Sequence, residues 1–170
     1  MGADFPRVLE MMKDRLGANP VAIQIPWGAE DNFKGIVDLV TMKAIEYDQE
    51  DGSKFEVIDI PEEMKGAAEE ARTALLEAVA EFDDSLLERY LGGEEISESE
   101  LKKVIRHATL HLHITPVFCG SAFKNKGVQL LLNGVVDYLP SPLDVGHVHG
   151  HDVKNPDKEE TRPPEDDAPF

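Results

Sequence analysis

Six histidines, a single cysteine and one small-residue loop are where chemistry could rest in these 170 residues. The loop, Gly120-Ser121-Ala122, follows a short apolar run, Val117 to Cys119, of the kind a buried strand shows. It precedes a helical pattern with Val128, Leu131, Leu132, Val135, Val136 and Leu139 on one face, stopped by Pro140 and Pro142. Strand, tight loop and helix make a terminal unit of an α/β nucleotide-binding sheet, in which ligands sit at the carboxyl ends of strands. Ser121 has no base evident in the sequence, so backbone recognition of a ligand fits this loop better than nucleophilic catalysis. His147-x-His149-x-His151 puts three imidazoles on one side of an extended chain, and His107 and His111 stand at i, i+4 on a helix. Both are permissible metal-ligand spacings, but no Cys or structured carboxylate completes either, and the sequence assigns no metal site. The carboxylate pairs Asp83-Asp84 and Glu94-Glu95 fall at a helix junction and a turn, with no cleft for acid–base work. Cys119 cannot form an internal disulfide, which fits a reducing cytosol, and reads as a small buried residue at a strand end.

The elements that must position these groups follow from periodicity. Asp4 caps a helix with Phe5, Leu9, Met12 and Leu16 on one side, Pro6 in its first turn and Gly17 at its end. Extended runs at 21–25, 35–40, 41–47 and 55–60 predict a small, largely antiparallel sheet. Turn signals at Trp27-Gly28 and at Glu50-Asp51-Gly52-Ser53 separate them, the latter a hairpin turn. Trp27 and Phe33 beside the sheet read as core. Residues 62–82 set Met64, Ala68, Ala71, Leu75, Ala78, Val79 and Phe82 on one helical stripe. Glu62, Glu63, Glu69, Glu70, Glu77 and Glu81 occupy the opposite side. A shorter helix at 84–91 carries Leu86, Leu87 and Tyr90 and closes at Gly92-Gly93. Ser97-x-x-Glu100 is a capping box, followed by Leu101, Val104, Ile105, Ala108 and Leu112 on a buried face. After Val145 the chain turns polar and rich in Pro and Gly, and residues 146–170 are expected to form a flexible linker.

Charge narrows the partners. The net charge is −17, and residues 46–100 hold 19 acids against 4 bases, a local −15. Such a surface repels phosphate backbones, so direct nucleic-acid binding is not expected. A basic protein would be attracted to it and its encounter accelerated. No apolar run approaches a membrane span.

The segment from Thr115 to Asp144 resembles the end of the GTPase domain of bacterial-type elongation factor G, a translational GTPase. Leu16-Gly-Ala-Asn-Pro-Val21, Gly35-Ile-Val-Asp-Leu39, Met42-Lys-Ala44, Tyr90-Leu-Gly-Gly-Glu-Glu95 and Ile114-Thr-Pro-Val117 resemble the same family in the same order. The resemblance covers residues 2 to 145 and implies an α/β fold. In it, residues 1–18 are a GTPase-domain helix and 19–113 an inserted subdomain of small antiparallel sheet and helices. Residues 114–145 are the domain's last strand, guanine loop and helix, remnants of a P-loop-type domain, and 146–170 lead to a second domain. Ser121 and Ala122 are then the fifth guanine motif, whose backbone N–H meets the guanine O6, with Phe123 packing beneath the base. Lys124 and Lys126 stand close by.

What the sequence lacks bears equally on function. No Gly-rich P-loop with its Lys and Ser/Thr occurs, and the Asn-Lys-x-Asp motif is absent. Asn125-Lys126-Gly127-Val128 imitates that motif's first half but lacks the acid. Family members carry the true motif just before Gly2-Ala3-Asp4-Phe5, which implies that Met1 is an added start codon and the chain a fragment. The resemblance therefore assigns GTP or GDP, Mg²⁺ and hydrolysis to a longer parent, and expects neither catalysis nor tight nucleotide binding here. Related GTPases of the ribosomal-protection or release-factor type are alternatives, as is an insertion that serves only as a spacer. The family's inserted subdomain contacts the basic C-terminal domain of the ribosomal stalk protein, so Glu62, Glu69, Glu70 and Glu77 are the implied docking residues. Each exposed pair contributes less than about 1 kcal/mol, which describes a weak, salt-sensitive contact. The implied location is cytoplasmic, with no membrane association.

Overall fold

The computed structural model describes residues 2–47 and 52–165. The fold is α/β, and the chain divides into two compact units, Met1–Tyr138 and Leu139–Phe170.

In the first unit, helix α1 (Phe5–Leu16) starts where the Asp4 carboxylate accepts the Arg7 N–H at 3.0 Å and ends at Gly17, whose φ of 61° suits a residue without Cβ. A four-stranded antiparallel sheet runs in the order β2 (Gln24–Trp27), β3 (Gly35–Asp38), β4 (Lys43–Tyr47) and β5 (Phe55–Ile58). The run expected as one strand over 21–25 is two strands. β1 (Pro20–Ala22) pairs in parallel with β6 (Thr115–Val117), while β2 joins the antiparallel sheet. Ile23 is the switch: its N–H donates to Val117 O, and its own carbonyl accepts from Leu39 N–H. A second shortening, at the end of β3, has a local cause. Asp38 Oδ1 accepts the N–H groups of both Val40 and Thr41, folding the chain away from the ladder that was expected to continue to residue 40. Of the hairpin signal at Glu50-Asp51-Gly52-Ser53, residues 50 and 51 lie outside the described residues.

Alternation along β3 and β4 explains why both read as apolar runs. Val37, Leu39 and Ala44 belong to the main core, beneath α2 (Glu62–Ala80) and α4 (Glu98–Leu110). Ile36, Ile45 and Tyr47 point the other way and pack with Phe33, Cys119 and Leu130. The central strands are buried on both faces. Helix α2 buries Ala68, Leu75 and Val79 of the expected stripe but ends at Ala80, leaving Phe82 in the turn that leads to α3 (Asp84–Leu91). The Ser97–Glu100 capping box at the start of α4 is present in full, and Leu101, Val104, Ile105 and Ala108 are buried as expected. Leu112 is not. It lies past the end of α4 at φ 58° and is 90% exposed.

Helix α5 (Val128–Tyr138) turns most of the apolar stripe read from the sequence outward. The residues it buries are Gly134 and Tyr138, with Leu130 packed on the second core cluster; Leu131, Leu132, Val135 and Val136 face outward. Gly134 permits this approach, since a Cβ there would lie 2.3 Å from the Phe118 ring. Leu139 falls beyond the helix.

The second unit corrects the linker expectation. After a one-turn helix α6 (Pro142–Val145), strands β7 (Val148–His151) and β8 (Glu159–Arg162) form an antiparallel hairpin. Its turn is built by polar chemistry that composition concealed. Asp152 Oδ1 accepts the N–H groups of Lys154 and Asn155, and Asp152 N–H donates to Lys158 O, which closes the loop.

Candidate functional site

Strand β6 delivers the chain to the Ser121–Ala122 loop. Ser121 and Lys126 exchange two backbone hydrogen bonds, Ser121 N–H to Lys126 O at 2.9 Å and Lys126 N–H to Ser121 O at 3.0 Å. Inside this bridge Lys124 N–H also donates to Ser121 O, and Asn125 N–H to Ala122 O. Gly127 then turns at φ 89°. A Cβ there would stand 2.8 Å from Cys119 O and 2.9 Å from Ile36 Cδ1, so glycine is required for both conformation and space. The Gly127 N–H donates to the Tyr47 hydroxyl at 2.7 Å. Lys126, itself buried, holds its ammonium 5.8 Å from the centroid of the Tyr47 ring.

From Ser121 to Gly127 this accounting leaves two amides. Among the described residues, the N–H groups of Ala122 and Phe123 donate to no protein acceptor. Ser121 and Ala122 thus stand together in a pinned loop, with the Ser121 amide used within it and the Ala122 amide without a protein acceptor among the described residues. Phe123, expected beneath a bound base, is instead fully exposed at the tip. A groove of about 950 Å³ runs beside the loop, lined by Gly2 to Val8 on one side and Val117 to Ser121 on the other. Cys119 lies along it, its thiol pushed up to about 12 by burial, which makes it a packing group rather than a nucleophile.

Tyr47 was invisible as a site residue in the sequence. It is buried on β4, and burial raises its pKa, with the Gly127 hydrogen bond opposing that shift and Cys119 adding slightly to it. The only available signal was an aromatic at the end of an apolar run, which core packing explains equally well.

The acidic face is formed by α2. Glu62, Glu69, Glu70 and Glu77 are all exposed. Glu62 meets Lys65 at 2.5 Å and Glu77 is 3.5 Å from the Tyr90 hydroxyl, while the carboxylates of Glu69 and Glu70 have no partner among the described residues. Gly66, between Glu62 and Glu69 in the chain, leaves open space where a Cβ would be. Glu63, expected on the same side, is used internally. It accepts from Trp27 Nε1 at 2.7 Å and Lys34 Nζ at 3.1 Å, and these bonds, Trp27 first, lower its pKa. Arg72 fixes α2 from beneath. Its guanidinium donates to Leu39 O at 2.6 Å and to Val40 O and Ile96 O, and burial lowers its pKa against the pull of Asp38. Sequence periodicity placed Arg72 on no functional face, because its partners are carbonyls that only the fold brings together.

A second cavity of about 530 Å³ lies where β2 and β3 meet α5. The buried Gln24 lines it, and Gln24 Oε1 has no hydrogen-bond partner among the described residues, a setting that suits an ordered water. Among the described residues, the remaining candidates make local contacts. Asp83 caps α3 through Leu86 N–H, and Glu94 pairs with Arg89 at 2.9 Å. His149 faces Thr161 across the β7–β8 hairpin at 3.3 Å. Among the described residues, no helix is long and apolar enough to cross a membrane.

No family model matches the sequence. The chain is similar to a crystal structure of a protein from Thermus thermophilus, with 30% identity and a TM-score of 0.71. The match covers 85% of this chain and 21% of that one, so the chain spans about a fifth of its solved neighbour's length.

Proposed function

We propose that this chain is part of a translational GTPase of the elongation factor G type, contributing an acidic docking face and one edge of a guanine pocket. The observation that carries the reading is the pair of unpaired carboxylates, Glu69 and Glu70, exposed on α2 within a strongly acidic region. An exposed carboxylate without a cation is ready to meet one on a partner, and the partner of this chemistry is the basic C-terminal domain of the ribosomal stalk protein. The Ser121–Ala122 loop supports the nucleotide side. The Ala122 N–H is free to donate to a carbonyl oxygen such as guanine O6, and the groove beside the loop also holds Gly2 to Asp4. In the resembled family, that segment directly follows the base-reading Asn-Lys-x-Asp motif. GTP hydrolysis, Mg²⁺ and translocation of tRNA and mRNA on the ribosome belong, on this reading, to the longer parent, because the phosphate-binding motif is absent from the sequence.

The test is a titration of the isotopically labelled chain with the stalk protein's C-terminal domain, at low and at raised salt. Amide shifts centred on α2, weakened by salt and by Glu69→Gln with Glu70→Gln, are the expected result. A folded chain with no shifts on α2 would leave the insertion as a spacer, and the docking reading would be wrong.

A further inference from the structure

Helix α4 ends in a row of rings. The rings of His107 and His111 have centroids 4.3 Å apart with an interplanar angle of 40°. His113 lies 6.0 Å beyond His111 and stacks on Phe82 at 4.6 Å, with the planes within 3° of parallel. The backbone beneath is closed by His111 N–H to His107 O, Leu112 N–H to Thr109 O and His113 N–H to Ala108 O. All three histidines are exposed.

One contact fixes the tautomer of His111. His111 Nδ1 is 2.8 Å from the His107 carbonyl oxygen. A carbonyl can only accept, so Nδ1 carries the proton and the neutral ring keeps its lone pair on Nε2. A backbone carbonyl holding the far nitrogen is the arrangement that orients a metal-binding imidazole. The ring spacing is compatible with a shared ion. Two imidazoles bound to one ion at ~2.1 Å with a right angle between them have centroids about 4.6 Å apart, whereas a tetrahedral angle requires about 5.3 Å. The observed 4.3 Å lies near the right-angle value. The negative end of the α4 dipole and the chain's net charge of −17 both favour a cation there.

We infer that His107 and His111 form a surface site for a divalent transition metal of octahedral or tetragonal preference, the nickel and copper class, with water completing the coordination. It is a two-ligand site. Among the described residues, no group of three or more His, Cys, Asp and Glu side chains converges on a metal position. The spacing was permissible in the sequence; the Nδ1 hydrogen bond and the ring separation are what the fold adds.

The experiment is calorimetric titration of the full chain with Ni²⁺, then with Zn²⁺ and Mn²⁺. One tight Ni²⁺ step is expected, with Zn²⁺ weaker and Mn²⁺ weaker still, since affinity at nitrogen sites rises toward nickel and copper. His107→Gln and His111→Gln should each lower Ni²⁺ affinity at least about tenfold, the scale on which metal sites respond to a lost contact. Both side chains are exposed, and circular dichroism checks that each variant stays folded. The control is a triple replacement of His147, His149 and His151 by Gln, which should leave the tight step intact. If that step instead follows the three hairpin histidines, or if Zn²⁺ binds more tightly than Ni²⁺, the assignment is wrong. Long-range nitrogen–proton spectra of the rings supply a readout without metal: His111 must be protonated on Nδ1.

Discussion

Tyr47→Phe removes a single oxygen from a contact that joins β4 to the Ser121–Ala122 loop. The ring remains, with its packing against Ile36 and Ile45 and its position under the Lys126 ammonium. What is lost is the acceptor of the Gly127 N–H, 2.7 Å away, at a residue that is itself buried. A buried donor left without a partner costs about 1–3 kcal/mol. With a urea slope near ~2 kcal/mol per molar, the unfolding midpoint should fall by roughly 0.5–1.5 M at unchanged slope. The loss is also local, so hydrogen exchange at the Gly127 amide should accelerate more than exchange in α2, where no contact changes. Urea unfolding and exchange mass spectrometry measure the two effects separately. A midpoint within about 0.2 M of the parent, with Gly127 exchange unaltered, would refute the idea that Tyr47 holds the loop.

Gly134→Ala should destabilise despite its better helix propensity. The gain of about 1 kcal/mol is set against overpacking of about 1–3 kcal/mol as the new Cβ meets the Phe118 ring, and adding Phe118→Leu should recover much of the loss. Glu100 gives a pH dependence. The Ser97 hydroxyl first and Arg89 second lower its pKa from 4.5 to about 2, so its contribution is complete above 4.5 and disappears as pH falls toward 2. Glu100→Gln should flatten the stability curve across that window, as read by thermal melts at stepped pH. The outward stripe of α5 should drive self-association at high concentration, which Leu132→Lys with Val136→Glu should suppress in sedimentation without lowering the melting temperature.

Much of the fold was legible because its signals are local. The α2 stripe as far as Val79, the Asp4 and Ser97 caps and the Gly17 stop depend on residues within four positions of one another, and each stands where the sequence pattern put it. What failed depends on partners far along the chain. Nothing local tells Ile23 to end one sheet and begin another, because its two bonds reach Leu39 and Val117. The α5 stripe was legible as a stripe, while the contact of its other side, Phe118 against Gly134, was not. Tyr47 and Arg72 escaped for the same reason: their partners are a backbone amide and carbonyls, which no residue type in the sequence announces.

The two-sided burial of β3 and β4 accounts for the way the acidic helix and the loop share one unit. Residues of alternate parity on a strand face opposite ways, so Ala44 supports the core beneath α2 while Ile45 and Tyr47 serve the loop side. A one-residue slip of β4 would exchange these sets, exposing Tyr47 to the α2 core and withdrawing its hydroxyl from Gly127. The register Ile36 to Ile45 and Val37 to Ala44 is therefore constrained from both faces at once. A sheet buried on one face alone would tolerate polar residues at alternate positions of its central strands. Here adjacent positions are apolar at the strand centres, Ile36 with Val37 and Ala44 with Ile45, because α2 and α4 press on one side and Leu130 and Cys119 on the other. The small sheet thus carries the loop and the acidic helix on opposite sides of the same four strands.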